Sequence, residues 1–232
     1  MNYFEFLMAF VGVPLVIILL IAFRKGKLTQ FNISGILVLS LIALVYTTPW
    51  DNYLIFRGVW TYPPDAVVGK LGYVPLEEYG FMILQTWLAG VIFALLPFSR
   101  EITALQFYPL ASLPAFFLGA LGCFLLMSKS GTYAGLILVW ACPPLALQWS
   151  LGLKALISTF KLWFVPWVLL TMYLCLADAF AISKGIWSIN PETRSGWELG
   201  NLPVEEALFF TLTNLFVIQG LCLWHAWRKA QL

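Results

Sequence analysis

Long apolar runs alternate with short polar clusters along this chain, and the runs have the length of membrane-crossing helices. Crossing a hydrocarbon core of about 30 Å takes about 20 mostly apolar residues. Seven stretches fit: 3–23, closed by Arg24-Lys25-Gly26-Lys27; 31–49, closed by Pro49; 75–97; 107–127; 132–150; 160–177; and a last one that starts at Pro203 and fades at Trp224-His225-Ala226-Trp227-Arg228-Lys229. Pro143-Pro144 and Gln148 interrupt the fifth. The pattern predicts an all-α, polytopic membrane protein with seven transmembrane helices.

The polar clusters repeat. Asp51-Asn-Tyr-Leu-Ile-Phe-Arg57-Gly58-Val-Trp60 is followed by Pro75-Leu-Glu77-Glu78, and Asp178-Ala-Phe-Ala-Ile-Ser-Lys184-Gly185-Ile-Trp187 by Pro203-Val-Glu205-Glu206. The first block recurs at an offset of 127 positions and Pro-x-Glu-Glu at 128, so one inserted residue separates the copies. This maps the second span onto the sixth, the third onto the seventh and the first onto the fifth, where Pro14-Leu15 corresponds to Pro144-Leu145. The fourth span has no mate. Residues 1–98 thus form one three-helix repeat, 99–129 a connecting helix and 130–232 a second repeat. The unpaired crossing restores the second repeat to the orientation of the first, as in parallel repeats about an axis along the membrane normal. Both motif loops then share one membrane face.

Composition agrees: 61% of the 232 residues are hydrophobic and 10% are charged, outside the soluble range. A net charge of +2, with no basic patch interleaved with aromatics, gives no reason to expect a nucleic acid partner. The N-terminus lacks the basic region and small-residue cleavage site of a signal peptide, so the first span should remain. Arg24, Lys25, Lys27, Arg100, Lys154, Lys161, Arg228 and Lys229 fall on one side of the predicted topology; Arg57, Lys70, Lys129, Lys184 and Arg194 fall on the other. That bias places the N-terminus and the motif loops on the non-cytoplasmic side. The four cysteines lack CxxC spacing and read as packing residues, with no metal site.

Acids favour helix starts, but adjacent carboxylates repel, and an ionisable group toward the membrane interior costs up to about 2.5–3.5 kcal/mol. Repetition of the second acid therefore asks for chemistry. Consecutive helical residues point ~100° apart. Glu78 lies over Gln85 and Glu206 over Thr213, close to Asn214, so these two should face the interior while Glu77 and Glu205 point sideways. A carboxyl in a crowded apolar site can stay protonated near neutrality and donate, while a wetter neighbour accepts. Asp51 with Arg57 and Asp178 with Lys184 read as ion pairs, with orientation of the glutamates as the functional alternative. Trp60 and Trp187 read as interfacial anchors or as walls of a cation-stabilising pocket.

The paired Asp…Gly-x-Trp blocks, both Pro-x-Glu-Glu motifs and the three-plus-one-plus-three plan resemble the non-flavin lycopene cyclases of carotenoid synthesis, the type found as two small subunits or one fused chain. The resemblance covers essentially the whole chain. It implies cyclisation of the linear ψ ends of lycopene into β-ionone rings, giving γ- and then β-carotene, with Glu77, Glu78, Glu205 and Glu206 as the essential acids. It leaves open whether one end or both close, and some relatives act on fifty-carbon carotenoids. The implied partners are the lipid-soluble carotenoid, membrane lipid, and either other carotenoid-pathway enzymes or a second copy of the chain. Such a reaction needs an acid, a dry aromatic cavity and a base. It moves no net electrons, and no G-x-G-x-x-G opens a βαβ unit, so no cofactor is expected. A SWEET-like carrier shares the helical plan but should place its polar residues near the midplane. A retinal protein needs a lysine inside the last span, which has none before Lys229.

Overall fold

The computed structural model describes residues 1–97, 102–229 and 231. Six helices reach membrane-crossing length: α1 Tyr3–Arg24, α2 Gln30–Phe56, α3 Leu76–Leu95, α5 Thr132–Ser158, α6 Phe160–Ser183 and α7 Val204–Lys229. Between α3 and α5 lies α4, Pro109–Leu125, whose first turn is a 3₁₀ segment over Pro109–Ser112. At 1.5 Å per residue its 17 residues reach ~25 Å, short of a full hydrocarbon core. The fourth predicted span is therefore apolar but short. Arg100, counted in the charge bias, lies outside the described residues.

Several helices outrun their sequence-based limits. α2 continues through Pro49 for seven further residues and carries Asp51 on its last two turns. α6 likewise extends to Ser183 and carries Asp178. Both aspartates are thus helical, where the sequence suggested loops. α5 runs through Pro143-Pro144 and bends at Gly152, whose φ of −144° leaves the helical range. Met8–Gly12 of α1 is a π-turn.

The repeated glycines end helices. Gly58 and Gly185 sit at φ +65° and +68°, a conformation that costs a residue without Cβ little. In each case the glycine and the next residue bond back to the last turn: Gly58 N–H to Ile55 and Val59 N–H to Leu54, Gly185 N–H to Ile182 and Ile186 N–H to Ala181. This is the left-handed cap with paired 5→2 and 6→1 bonds. The Gly of each motif is a helix stop that turns the following Trp inward.

Six two-residue strands organise the motif loops. β2 (Lys70–Leu71) pairs with β3 (Val74–Pro75), and β5 (Glu198–Leu199) with β6 (Leu202–Pro203), so each Pro-x-Glu-Glu leaves a miniature hairpin. β1 (Trp60–Thr61) pairs antiparallel with β4 (Ser188–Ile189). In that ladder Thr61 faces Ser188, its own counterpart at offset 127, and their hydroxyls lie 2.7 Å apart. The two motif loops are therefore stitched together at one end of the bundle. Elsewhere small residues let backbones approach: a Cβ on Gly122 would meet the Gly135 carbonyl at 2.9 Å, which fixes α4 against α5.

Candidate active site

Helix starts bring the four glutamates inside. The chain leaves β3 and β6 directly into α3 and α7, so Glu77-Glu78 and Glu205-Glu206 fall in the first turns, one position earlier than a helix begun at proline would give. All four are buried. Their side chains divide by role. Glu77 accepts the Val68 backbone N–H at 2.7 Å and Glu205 accepts that of Ser195 at 2.7 Å. Each therefore braces the loop before its own hairpin. Glu78 and Glu206 instead line an inner cavity.

That cavity is walled by rings. Tyr3, Phe6 and Trp187 cluster on one side, with Trp187 4.8 Å from Tyr3 and 5.1 Å from Phe6. Trp60 and Phe209 meet at 5.8 Å on another side, and Trp60 packs edge-on to Tyr133, also at 5.8 Å. Both tryptophans are pocket walls. Aromatic faces stabilise a positive charge held above them. Phenols hold the carboxylates: Tyr62 donates to Glu78 at 2.5 Å and Tyr133 to Glu206 at 2.7 Å. Tyr3 stacks on Tyr62, with ring centroids 6.0 Å apart, and lines the same cavity. Burial, followed by the Glu78 charge, pushes the Tyr62 phenol well above its ordinary range, so it remains a donor.

The aspartates differ from the ion pairs expected. Both are 2% exposed and turned into the bundle, and no ion pair joins either to its basic neighbour. Arg57 bonds the Tyr53 hydroxyl at 2.6 Å and Lys184 lies over the Phe180 ring. The helices extend past the aspartates, leaving each base on the exposed last turn and each acid a turn or more deeper. Asp178 accepts Trp187 Nε1 at 2.9 Å and lines the inner cavity with Glu206. Asp51 and Trp60, at the same spacing, make no such bond.

A second, outer cavity lies below the first between α2, α3, α5 and α7. Glu78, Phe81 and Phe209 line both. Asp51, Gln85 and Thr213 line the second, and Asn214 beside it accepts from Gln85 Nε2 at 2.6 Å and donates to Thr171 at 3.2 Å. That bridge joins the two repeats. The sequence reading missed Tyr3, Tyr62 and Tyr133. Tyr3 and Tyr133 recur at an offset of 130, the spacing of Pro14 and Pro144, and could have been found that way. Tyr62 has Ile189 as its counterpart and gives no repeat signal.

Loss of one phenol should misplace a carboxylate without removing it. A hydrogen bond to a charged group contributes about 1.5–3 kcal/mol, so Tyr62→Phe and Tyr133→Phe should each slow turnover roughly 10–100-fold. Kinetics at wild-type protein level, with unchanged melting, would check this.

Fold and site together define an integral membrane protein with an aromatic interior that carries carboxyl groups. The chain belongs to the lycopene cyclase family, whose model matches residues 2–96 and 130–221. Among curated proteins it is 39% identical to a lycopene beta-cyclase of Halobacterium salinarum over 99% of this chain and 98% of that one. It is 36% identical to a bifunctional lycopene cyclase/phytoene synthase of Aspergillus niger over 80% of this chain and 34% of that one, and 35% identical to one of Colletotrichum graminicola over 88% and 37%. No solved structure matches it.

Proposed function

We propose that this chain is a lycopene beta-cyclase, an intramolecular lyase that closes the ψ ends of lycopene into β-ionone rings. The observation that carries the reading is the inner cavity, walled by aromatic rings and faced by one glutamate from each Pro-x-Glu-Glu motif. The reaction adds a proton to a terminal alkene. The resulting tertiary cation is attacked by a neighbouring double bond, forming the ring, and a ring carbon then loses a proton. Atoms and electrons balance without a redox partner, so no cofactor is assigned.

The two glutamates suit different halves of that cycle. Glu206, held by the Tyr133 hydroxyl and lining the cavity with Asp178, is suited to deliver the proton to the alkene. Glu78, held by the Tyr62 hydroxyl across the cavity, is suited to remove the ring proton. Trp187 orients Asp178. Glu77 and Glu205 position the loops, with Gln85, Thr213 and Asn214 supporting the floor of the site.

The architecture is read as two parallel three-helix repeats, 1–98 and 130–232, joined by α4 as a seventh crossing. The β1–β4 pairing supports this, because it holds both motif loops at one end, and an odd number of crossings between the repeats is then required. Lys25, Lys27 and Arg228 share a basin at the other end, which supports a cytoplasmic assignment there and a non-cytoplasmic N-terminus. Expression in lycopene-accumulating cells tests the activity: pigment extracts should contain γ- and β-carotene. Unchanged lycopene alongside a normally inserted protein would refute it.

A further inference from the structure

The outer cavity reaches the surface of the bundle at Ile42, which is 54% exposed, and at Tyr46, which is 37% exposed. Ile42 stands 12 residues after Gln30 and 14 before Phe56, at the middle of α2. The mouth therefore opens at mid-membrane depth, where a molecule dissolved in hydrocarbon meets it and a water-soluble one does not. From there to Asp51 is nine residues, ~13 Å along the axis. The walls on the way are mostly apolar, Ala43 and Trp140 among them with Thr47 between, and the cavity adjoins the inner one at Glu78, Phe81 and Phe209.

The mouth is framed. Above it the Tyr46 hydroxyl donates to the Trp140 carbonyl at 2.6 Å and Trp50 Nε1 to the Leu136 carbonyl at 3.1 Å, tying α2 to α5. Below it Leu39 and Gln148 close on Gly220. The repeat generates a counterpart between α6 and α1, framed the same way by the Tyr173 hydroxyl on the Phe10 carbonyl at 2.7 Å. At its mouth that side is filled: the buried Leu170 stands where the open side has Ala43. Deeper in, Leu174 and Phe210, in the places of Thr47 and Met82, narrow the same side where they line the inner cavity.

We infer that the cleft between α2 and α5 is the portal and seat for the linear polyene tail of the substrate, the filled cleft between α6 and α1 having lost that role. The inference rests on the cyclase reading above. The end group passes the mouth and reaches the inner cavity between Glu78 and Glu206, while the rest of the chain lies in the outer cavity and the lipid. With one portal, one end is processed per binding event. The monocyclic product must leave and return with its other end first.

Side chains of graded bulk test this at paired positions. Ala43→Leu, the residue of the filled side, should slow lycopene turnover, and Ala43→Trp should cost on the order of 10²-fold, the scale of a misplaced reacting group. Leu169→Trp, at the lipid-facing counterpart of Ile42, should leave turnover unchanged. Melting temperature of each variant shows that folding is intact, and Ala43→Leu carries the test if the tryptophan variant does not fold. In a pulse–chase with labelled lycopene followed by excess unlabelled lycopene, label should remain in the monocyclic product. Wild-type turnover by the Ala43 variants, equal loss in Leu169→Trp, or label passing undiluted into the bicyclic product would overturn the portal. A wild-type protein that cyclises nothing would instead overturn the function.

Discussion

Glu206→Gln and Glu78→Gln should each lose about 10²–10⁴-fold in cyclisation rate while inserting and melting normally, the range a general acid or base contributes. Glutamine keeps the size of the side chain and accepts the Tyr133 or Tyr62 hydroxyl, so the cavity wall survives. It cannot cycle a proton. The two variants should fail differently. Glu206→Gln leaves lycopene untouched, because the alkene is never protonated. Glu78→Gln permits the cation to form without its base, so its residual product should include rings whose double bond lies elsewhere or that have captured water. Cyclisation in heavy water by the wild type should place deuterium on the ring, since the donated proton exchanges with solvent. Near-normal rates in both variants, or rings free of deuterium, would show that the carboxyls are bystanders.

The neighbouring glutamates should behave as loop braces. Glu77→Ala and Glu205→Ala each remove the acceptor of a loop backbone N–H, on Val68 and Ser195. Such a hydrogen bond contributes about 0.5–1.5 kcal/mol. The double alanine variant should therefore show lower yield and a lower melting temperature. Glu77→Gln and Glu205→Gln retain an oxygen acceptor and should retain most of the turnover per folded molecule. A thousandfold loss in either glutamine variant with unchanged melting would move that residue into the chemistry, as the family resemblance implies for all four acids.

The facing of Glu78 and Glu206 into the cavity was legible because polar residues in an apolar chain stand out and helical geometry fixes their direction. What was missed follows from the same logic. Tyr62 exists in one copy only, so comparing the copies passes over it. Tyr3 and Tyr133 repeat at a different offset from the motifs, because the insertions between helices vary. The aspartates looked like partners of Arg57 and Lys184 because the helices were expected to stop before them. Pro49 suggested that limit, yet α2 continues past it and carries Asp51 inward. α4 was legible as apolar but not as short, since hydropathy does not register that Pro109 opens a 3₁₀ turn. The open and filled clefts are invisible to pattern, because Ala43 and Leu170 both read as apolar and differ only in volume.

The Thr61–Ser188 rung has a bearing on ancestry. A residue that faces its own counterpart across an antiparallel ladder marks the place where two identical chains would meet in a twofold dimer. In such a dimer every substitution appears twice. It cannot fill one cleft at its mouth and spare the other, or give one glutamate a tyrosine that the other lacks. A single chain that carries both motifs is free of that constraint: each side can vary alone, and Ile189 stands in the sequence place of Tyr62.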